Sequence, residues 1–477
     1  MPIYIHISQE NEGVVMSDNL ASIKLVPIGI EDISERQICM SNRLIKRLGI
    51  NPKQKLHVCF GKRISKVKVT EIANVPHDEI HLNEKFLNEL SRVFHHHKFL
   101  VKYIQATEML YIGPIIGLVT EIPAIHEDQE PNFGSIHTFC KELNQFVTNA
   151  GGFFYVFHYQ DFSAESVNGY YFDDNKWVSA NLPLPDVVYN RIHSRRSEQT
   201  RLFTTFRNVL EQFSIPMFND RFLSKWEVYQ QLIQEDSIHP FMPETRLLSQ
   251  ENFYEFIEQY ESIFIKPVHG SQGRNIMKLV KEDEHIIIQT SKTPQQNHPI
   301  KEYFKNDVFY RLKPYLHNRI YIIQQGIPLI NFEDKTMDFR ILVHKNQRNL
   351  WDVTSLVARI SAEQQFVSNL AKGGKIMKPL VVLTSFFKKD TAVQLIALMK
   401  ELAIHAAEII SRNTNGITGE LGIDIGIDDS GMPWIIEVNS KPSKNFEDSL
   451  TKIRPSAKAI IQFCTKLALD GVLEMEE

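Results

Sequence analysis

Cysteine is scarce in this 477-residue chain: Cys39, Cys59, Cys140 and Cys464 stand far apart, with no CxxC pair. Such spacing offers neither a zinc cluster nor a disulfide framework, and it suits a reducing compartment, so a cytoplasmic location is expected. An excess of charge of one sign is missing too. The net charge of -4 gives no electrostatic case for a nucleic-acid partner or an anionic membrane, and the basic cluster from Arg191 to Arg201 is too short to change that. Long hydrophobic runs are absent. The most apolar stretch, Met109 to Ile125, is broken by Gly113, Pro114, Gly117 and Glu121, so it reads as a buried strand with its flanks rather than a spanning helix. The start, Met1-Pro-Ile-Tyr-Ile-His, has neither the basic region nor the apolar core of a signal peptide. Neither GxGxxG nor GxxxxGK[ST] occurs, so the two common nucleotide fingerprints are unavailable. No Ser-His-Asp or Cys-His signature points to a side-chain nucleophile.

What the chain has is length, an internal repeat and an acidic hairpin. At 43% hydrophobic residues, it can bury about three cores. We divide it into a β-rich domain over 1–110, a small α/β domain over 111–220 and a third domain over 221–470. Within the first, Ile38 to Leu48 and Ile80 to Leu90 superpose at a constant offset of 42. The offset pairs Ile38 with Ile80, Met40 with Leu82, Leu44 with Phe86, Ile45 with Leu87, Leu48 with Leu90 and Val58 with Leu100. Each copy reads as strand, short helix, strands. Neither could bury its apolar face alone, so the two should close on each other in a pseudo-twofold unit resembling a double-psi β-barrel. His95-His96-His97 reads as a solvated turn, since consecutive residues do not all face one ion. From Ile115, apolar strands alternate with helical spacing (Phe133 to Ala150, stopped by Gly151-Gly152), which argues for a parallel sheet with crossovers.

The acidic hairpin is the most informative segment. In Glu420-Leu-Gly-Ile-Asp424-Ile-Gly-Ile427, alternation sends Leu421, Ile423, Ile425 and Ile427 to a core, and Glu420, Gly422 and Asp424 to the other face. After the turn Asp428-Asp-Ser-Gly431, a second strand ends with Glu437 and Asn439 on one face. The simplest register sets Asp424 opposite Glu437. Two carboxylates and an amide grouped in this way suit Mg²⁺ together with nucleotide phosphates, although an acidic edge of an ordinary hairpin would read alike. Upstream, Phe264 and Lys266 share a strand face before a Gly270-Ser271-Gln272-Gly273 turn, as in a phosphate grip of backbone N–H groups and a lysine. Lys225 opens an amphipathic helix. Asp338 and Arg340 share the face opposite Phe339, Ile341 and Val343. Arg359 stands on the following strand, and Asn369 with Gly373-Gly374 comes next. Each of these has a plainer reading as a solvated or salt-bridged side chain.

Taken in order, Lys225, Lys266-Pro with Gly-Ser-Gln-Gly, Ile322 to Leu329, Asp338-Phe-Arg340, Ala358-Arg359, Asn369 with Gly373-Gly374, Asp424 and Glu437-Val-Asn439-Ser-Lys-Pro442 resemble the ATP-grasp enzymes, closest to the YheC/YheD group described as endospore coat-associated. The resemblance implies an α/β (α+β) chain: an ATP-grasp fold preceded by the small α/β domain and the N-terminal β-rich repeat. It also implies roles. Lys225 and Lys266 would bind phosphates, with the loop Gly270, Ser271, Gln272, Gly273 closing over the triphosphate. Gln324, Gln325 and Ile327 would line the adenine hinge. Asp424, Glu437 and Asn439 would hold one or two Mg²⁺ ions, and Arg340, Arg359 and Asn369 would neutralise the transferred phosphoryl group. Many relatives carry an acid at the first hinge position, where Gln324 stands here. The implied reaction joins a carboxylate to an amine at the expense of ATP, the substrates being a peptide or polymer, with coat proteins as partners. A kinase acting on a hydroxyl and a non-catalytic ATP-binding coat protein are the alternatives.

Overall fold

The computed structural model describes residues 20–29, 33–52, 55–95, 97–123, 130–270, 273–283, 285–291, 301–304, 307–316, 319–362, 374–444 and 453–473. It divides into two compact units, one of Met1–Met217 with Cys464–Glu477 and one of Phe218–Phe463.

Alternating apolar residues in the first unit close into a seven-stranded barrel, in the order Leu20–Ile28, Glu79–Asn83, Gln37–Met40, Arg63–Glu71, Lys55–Phe60, Met109–Gly113 and Lys98–Ile104. The repeat governs its construction. The strands Gln37–Met40 and Glu79–Asn83 pair with each other and lead into the helices Asn42–Leu48 and Glu84–Ser91. One helix buries Leu44, Ile45 and Leu48, the other Phe86, Leu87 and Leu90, which are the positions matched by the offset. Each helix opens on a side-chain cap: Ser41 Oγ accepts from the Leu44 N–H, and Asn83 Oδ1 from the Lys85 N–H. His95 lies 3.0 Å from Asn88 Oδ1 and the His97 ring packs on Phe99 and Phe153, whereas His96 lies outside the described residues.

The same core continues into a six-stranded sheet in which Ile115–Val119 pairs in parallel with both Phe153–Phe162 and Val187–Asn190. The crossover helix runs over His137–Ala150 and stops at Gly151, whose φ of 92° is cheap only for glycine. A hairpin of Val167–Asp173 and Lys176–Leu182 extends this sheet.

The second unit holds two sheets. One orders Thr245–Leu247, Tyr321–Gln325, Ser262–Pro267, Met277–Glu282, His285–Thr290 and Lys301–Phe304, with Phe253, Phe256 and Ile257 of the helix Gln250–Gln259 in its core. The other orders Lys375–Met377, Trp351–Ile360, Lys335–Lys345, Glu420–Ile427 and Pro433–Asn439. Its apolar face, with Phe339, Ile341, Leu421, Ile423 and Ile425, packs on the long helix Lys389–Asn413 through Met399, Ala403 and Ala407. The opposite face is therefore left to polar residues, as the alternation requires. Among the described residues, no helix is long and apolar enough to cross a membrane.

Candidate functional site

The hairpin Glu420–Ile427 and Pro433–Asn439 is closed by an aspartate turn. Asp428 Oδ1 accepts from the N–H groups of Ser430 (3.0 Å) and Met432 (2.9 Å), while Oδ2 accepts from Trp434 Nε1 at 2.9 Å. These bonds hold the Asp428 carboxyl below its usual range, although its partial burial pulls the other way. The ladder sets Asp424 opposite Glu437 and Gly422 opposite Asn439. Asn439 Nδ2 lies 3.5 Å from Asp424 Oδ2.

Two arginines from neighbouring strands converge on this carboxylate. Arg340, opposite Asp424 in the ladder, grips it with both Nε and Nη2, the latter at 2.9 Å. Arg359, opposite Asp338, binds it at 2.6 and 2.5 Å and reaches Asp424 at 3.0 Å. All four side chains are buried. Burial alone would raise the Asp424 carboxyl, but Arg340 and Arg359 outweigh it and hold it below its ordinary value. For Arg359, burial works against the charge and is overcome by Asp338 and Asp424, so the guanidinium stays protonated. The result is a fixed strip of alternating charge on an otherwise apolar sheet.

The lysines approach from the other sheet and from the helix Lys225–Leu232. Ser224 caps that helix by accepting from the Glu227 N–H at 3.1 Å. At the first helical position, Lys225 donates to Glu437 at 2.6 Å and to the Gly270 carbonyl at 3.1 Å. Lys266 donates to Gln324 Oε1 at 2.5 Å, and Gln324 Nε2 donates to Thr245 Oγ1 at 3.0 Å. Burial lowers the Lys266 ammonium to about 8, Glu437 raising it against that trend and Lys225 adding to it. Lys225, Lys266, Gln324, Thr245 and Glu437 line a cleft whose apolar walls come from Val228, Leu232, Met242, Ile322 and Val438.

The structure thus brings together Lys225, Lys266, Gln324, Arg340, Arg359, Asp424, Glu437 and Asn439. Gln325 sits at the end of its strand, its Oε1 accepting from the Glu244 N–H at 3.2 Å, and the hinge continues through Gly326 to Ile327. Gly326 leaves no room for a side chain, since a Cβ there would meet Ser262 Oγ at 2.1 Å. Gly270 and Gly273 are described, whereas Ser271, Gln272, Asn369 and Gly373 lie outside the described residues. Reading by segment missed the pairing of Asp338 with Arg359: strand alternation shows only that a charge faces away from the core. It also missed the buried group Glu420, His344 and Lys444, for which the one available signal is the placement of Glu420 on the Asp424 face.

The chemistry of Asp424, Glu437 and Asn439, two carboxylates and an amide, suits Mg²⁺ with phosphate oxygens completing its shell; in this structure Arg340 and Arg359 take the Asp424 oxygens, Lys225 takes Glu437 and Asn439 turns its Nδ2 toward Asp424, so each would exchange a partner to hold the ion. Among the described residues, no group of three His, Cys, Asp or Glu side chains is placed to hold a metal.

The family model "YheC/D like ATP-grasp" matches residues 214–467. The endospore coat-associated protein YheD of Bacillus subtilis (strain 168) is 27% identical over 439 residues, covering 90% of this chain and 94% of its own. YheC of the same organism is 24% identical over 306 residues, covering 62% and 80%. Among solved structures, the VanG D-Ala:D-Ser ligase of Enterococcus faecalis aligns with a TM-score of 0.43 at 12% identity, covering 76% of this chain and 100% of that one. The ATP-grasp ligase PsnB aligns at 0.41 and 15%, covering 73% and 98%. With the family model spanning more than half of its length, over the region that holds the lysines, the arginine pair and the acidic hairpin, the chain belongs to the YheC/D-like ATP-grasp family.

Proposed function

We propose that this protein is an ATP-dependent carboxylate–amine ligase that forms an amide or peptide bond through an acyl phosphate. The observation that carries the reading is a cleft lined by Lys225, Lys266 and Glu437, with Asp424, gripped by Arg340 and Arg359, opposite Glu437 in the ladder and next to Asn439. In this reading, the apolar walls around Val228 and Ile322 take the base, and Gln324 to Ile327 form the hinge beside it. Lys225 and Lys266 exchange their present partners, Glu437 and Gln324, for phosphate oxygens. Asp424, Glu437 and Asn439 would hold one or two Mg²⁺ ions, which when bound supply charge neutralisation on the phosphates.

A carboxylate oxygen of the acid substrate attacks the γ-phosphorus of ATP, the bond to the β-phosphate oxygen breaks, and ADP leaves. The amine then attacks the carbonyl carbon, and the C–O bond to phosphate breaks with loss of the amine proton. Arg340 and Arg359 face the transferred charge already oriented by Asp424 and Asp338, so little rearrangement is required during the reaction. The acid and amine are proposed to belong to a peptide or polymer. The names of the coat-associated relatives support a role in the endospore coat with coat proteins as partners.

The test is release of ADP and phosphate from Mg-ATP against pooled amino acids and short peptides, comparing wild type with Glu437→Gln and Lys266→Ala. Turnover that requires both an acid and an amine, and vanishes in both variants, is the expected result. ADP formed without free phosphate, with phosphate appearing on a hydroxyl, would make the protein a kinase. Mg²⁺-dependent ATP binding without turnover against any pool would leave a binding protein of the coat.

A further inference from the structure

The strand that carries Asp424 also holds a second buried ionic group, which the reaction does not use. Lys444 Nζ pairs with Glu420 Oε1, and the same oxygen lies 3.1 Å from His344 Nε2, whose Nδ1 is 2.7 Å from Thr354 Oγ1. Glu420, Lys444 and His344 are sealed from solvent. A buried ion pair adds little net stability over apolar packing, so its position is more informative than its strength. The strand Pro433–Asn439 ends at the register position of Asn439 and Gly422, and the chain then turns away. Lys444 closes that turn from its far end, returning it to the first residue of the strand that carries Asp424. Arg454 holds the Lys444 carbonyl from the other side. Pro442 fills the space over Gly422, where any Cβ would approach it to 2.7 Å.

The same knot ties in the phosphate lysine. Asn219 Nδ2 donates to the Glu420 carbonyl (3.0 Å) and the Ser440 carbonyl (2.7 Å), and its Oδ1 accepts from the Gly419 and Glu420 N–H groups. Ser440 Oγ accepts from the Leu223 N–H at 3.1 Å, two residues before Lys225. We infer that Glu420, Lys444 and Asn219 form a brace that locks the turn Ser440–Lys444 and the segment Asn219–Lys225 to one strand, fixing the separation between Lys225 and the Glu437–Asn439 oxygen set. They are positioning residues. None faces a substrate, and the consequence for nucleotide binding rests on the function proposed above.

The test uses the full chain with Mg·ADP as probe. Lys444→Met alone leaves Glu420 with one partner fewer in a dry site and is expected to lower the melting temperature. The double variant Glu420→Gln/Lys444→Met removes both charges and is expected to recover most of that loss. It should still bind Mg·ADP at least tenfold more weakly and need more Mg²⁺ for half-saturation. Ser440→Ala, which cuts only the link to Leu223 and leaves that buried N–H without its acceptor, should lower the melting temperature less than Lys444→Met does and lose about threefold in affinity. Hydrogen exchange provides an arm that does not need nucleotide: amides of 219–227 and 437–444 should accelerate together in the double variant. Acceleration of 440–444 alone, or wild-type Mg²⁺ dependence in the double variant, overturns the brace. Failure of the wild type to bind Mg·ADP overturns the nucleotide reading instead, and the exchange result still decides whether the brace exists.

Discussion

The barrel and the sheet that carries the acidic hairpin are both built from alternating strands, yet they treat polar residues in opposite ways. Inside the barrel, Ile38, Met40, Val58, Phe60, Val67, Val69, Ile80 and Leu82 are buried, and the buried polar side chains there are Ser41, Asn83 and Ser91. Ser41 and Asn83 are explained by helix caps. In the site sheet, one face is as apolar as the barrel's interior, but the other buries Asp338, Arg340, His344, Arg359, Glu420 and Asp424. Desolvating so many charges is costly, and every one of them is satisfied by another. Where folding is the only requirement, alternation ends in hydrocarbon. In the site sheet, charge is buried where each group meets an opposite partner.

The contrast can be broken most severely at Arg359. Arg359→Met strands Asp338 and leaves Asp424 with Arg340 alone, and a loss of about 3–5 kcal/mol is expected in chemical unfolding. A stability close to wild type would show the network to be dispensable for folding. In the barrel, the comparable change is loss of volume. Phe86→Ala should cost about 3–5 kcal/mol and its repeat partner Leu44→Ala about 2–5 kcal/mol, with no change in the Mg²⁺ dependence of ADP binding at saturating stability. Similar effects at both positions would show that the two copies carry the barrel equally.

A smaller effect is expected from pH. With Lys266 at about 8 before ligand binds, bound phosphate favours the charged form, so Mg·ADP affinity should fall as pH rises through 8, with proton uptake on binding measurable by calorimetry in buffers of different ionisation heat. Lys266→Arg should flatten that profile, because guanidinium does not titrate in this range; a sloping profile in the variant would assign the titration elsewhere. A second pH effect is expected in the first unit. Asp186, buried and accepting from the Ile115 N–H at 2.7 Å and Tyr111 Oη at 3.0 Å, is raised by burial to about 6. A carboxyl raised in the folded state contributes stability at low pH that is lost as pH rises from its unfolded value through 6. Asp186→Asn, which keeps an acceptor, should therefore come close to wild type near pH 4 and exceed it by up to about 3 kcal/mol at pH 8. Equal melting curves at pH 8 would show that the carboxylate is better solvated than its burial implies.

Period and local chemistry were enough for much of this. The offset of 42 identified the helix positions that fill the barrel, because equal apolar spacing buries equal faces. The alternation in Glu420–Ile427 identified which residues reach the core, whereas the pairing of Asp424 with Glu437 depends on a register shift between Asp424 and Ile425, since the pairs nearest the turn, Ile427 with Pro433 to Ile425 with Ile435, would otherwise carry Asp424 to Ile436. Order along the chain identified the family. The partners of the charges were not readable in this way. Arg340 lies 84 residues from Asp424, Lys225 lies 212 residues from Glu437, and Lys266 lies 58 from Gln324. Sequence determines which side of a strand a residue takes, through a period of two that is local. Which opposite charge it meets depends on the order in which strands assemble into a sheet, and that order is set by long-range packing of the apolar faces. Only the tertiary structure could join Asp338 to Arg359 and Glu420 to Lys444.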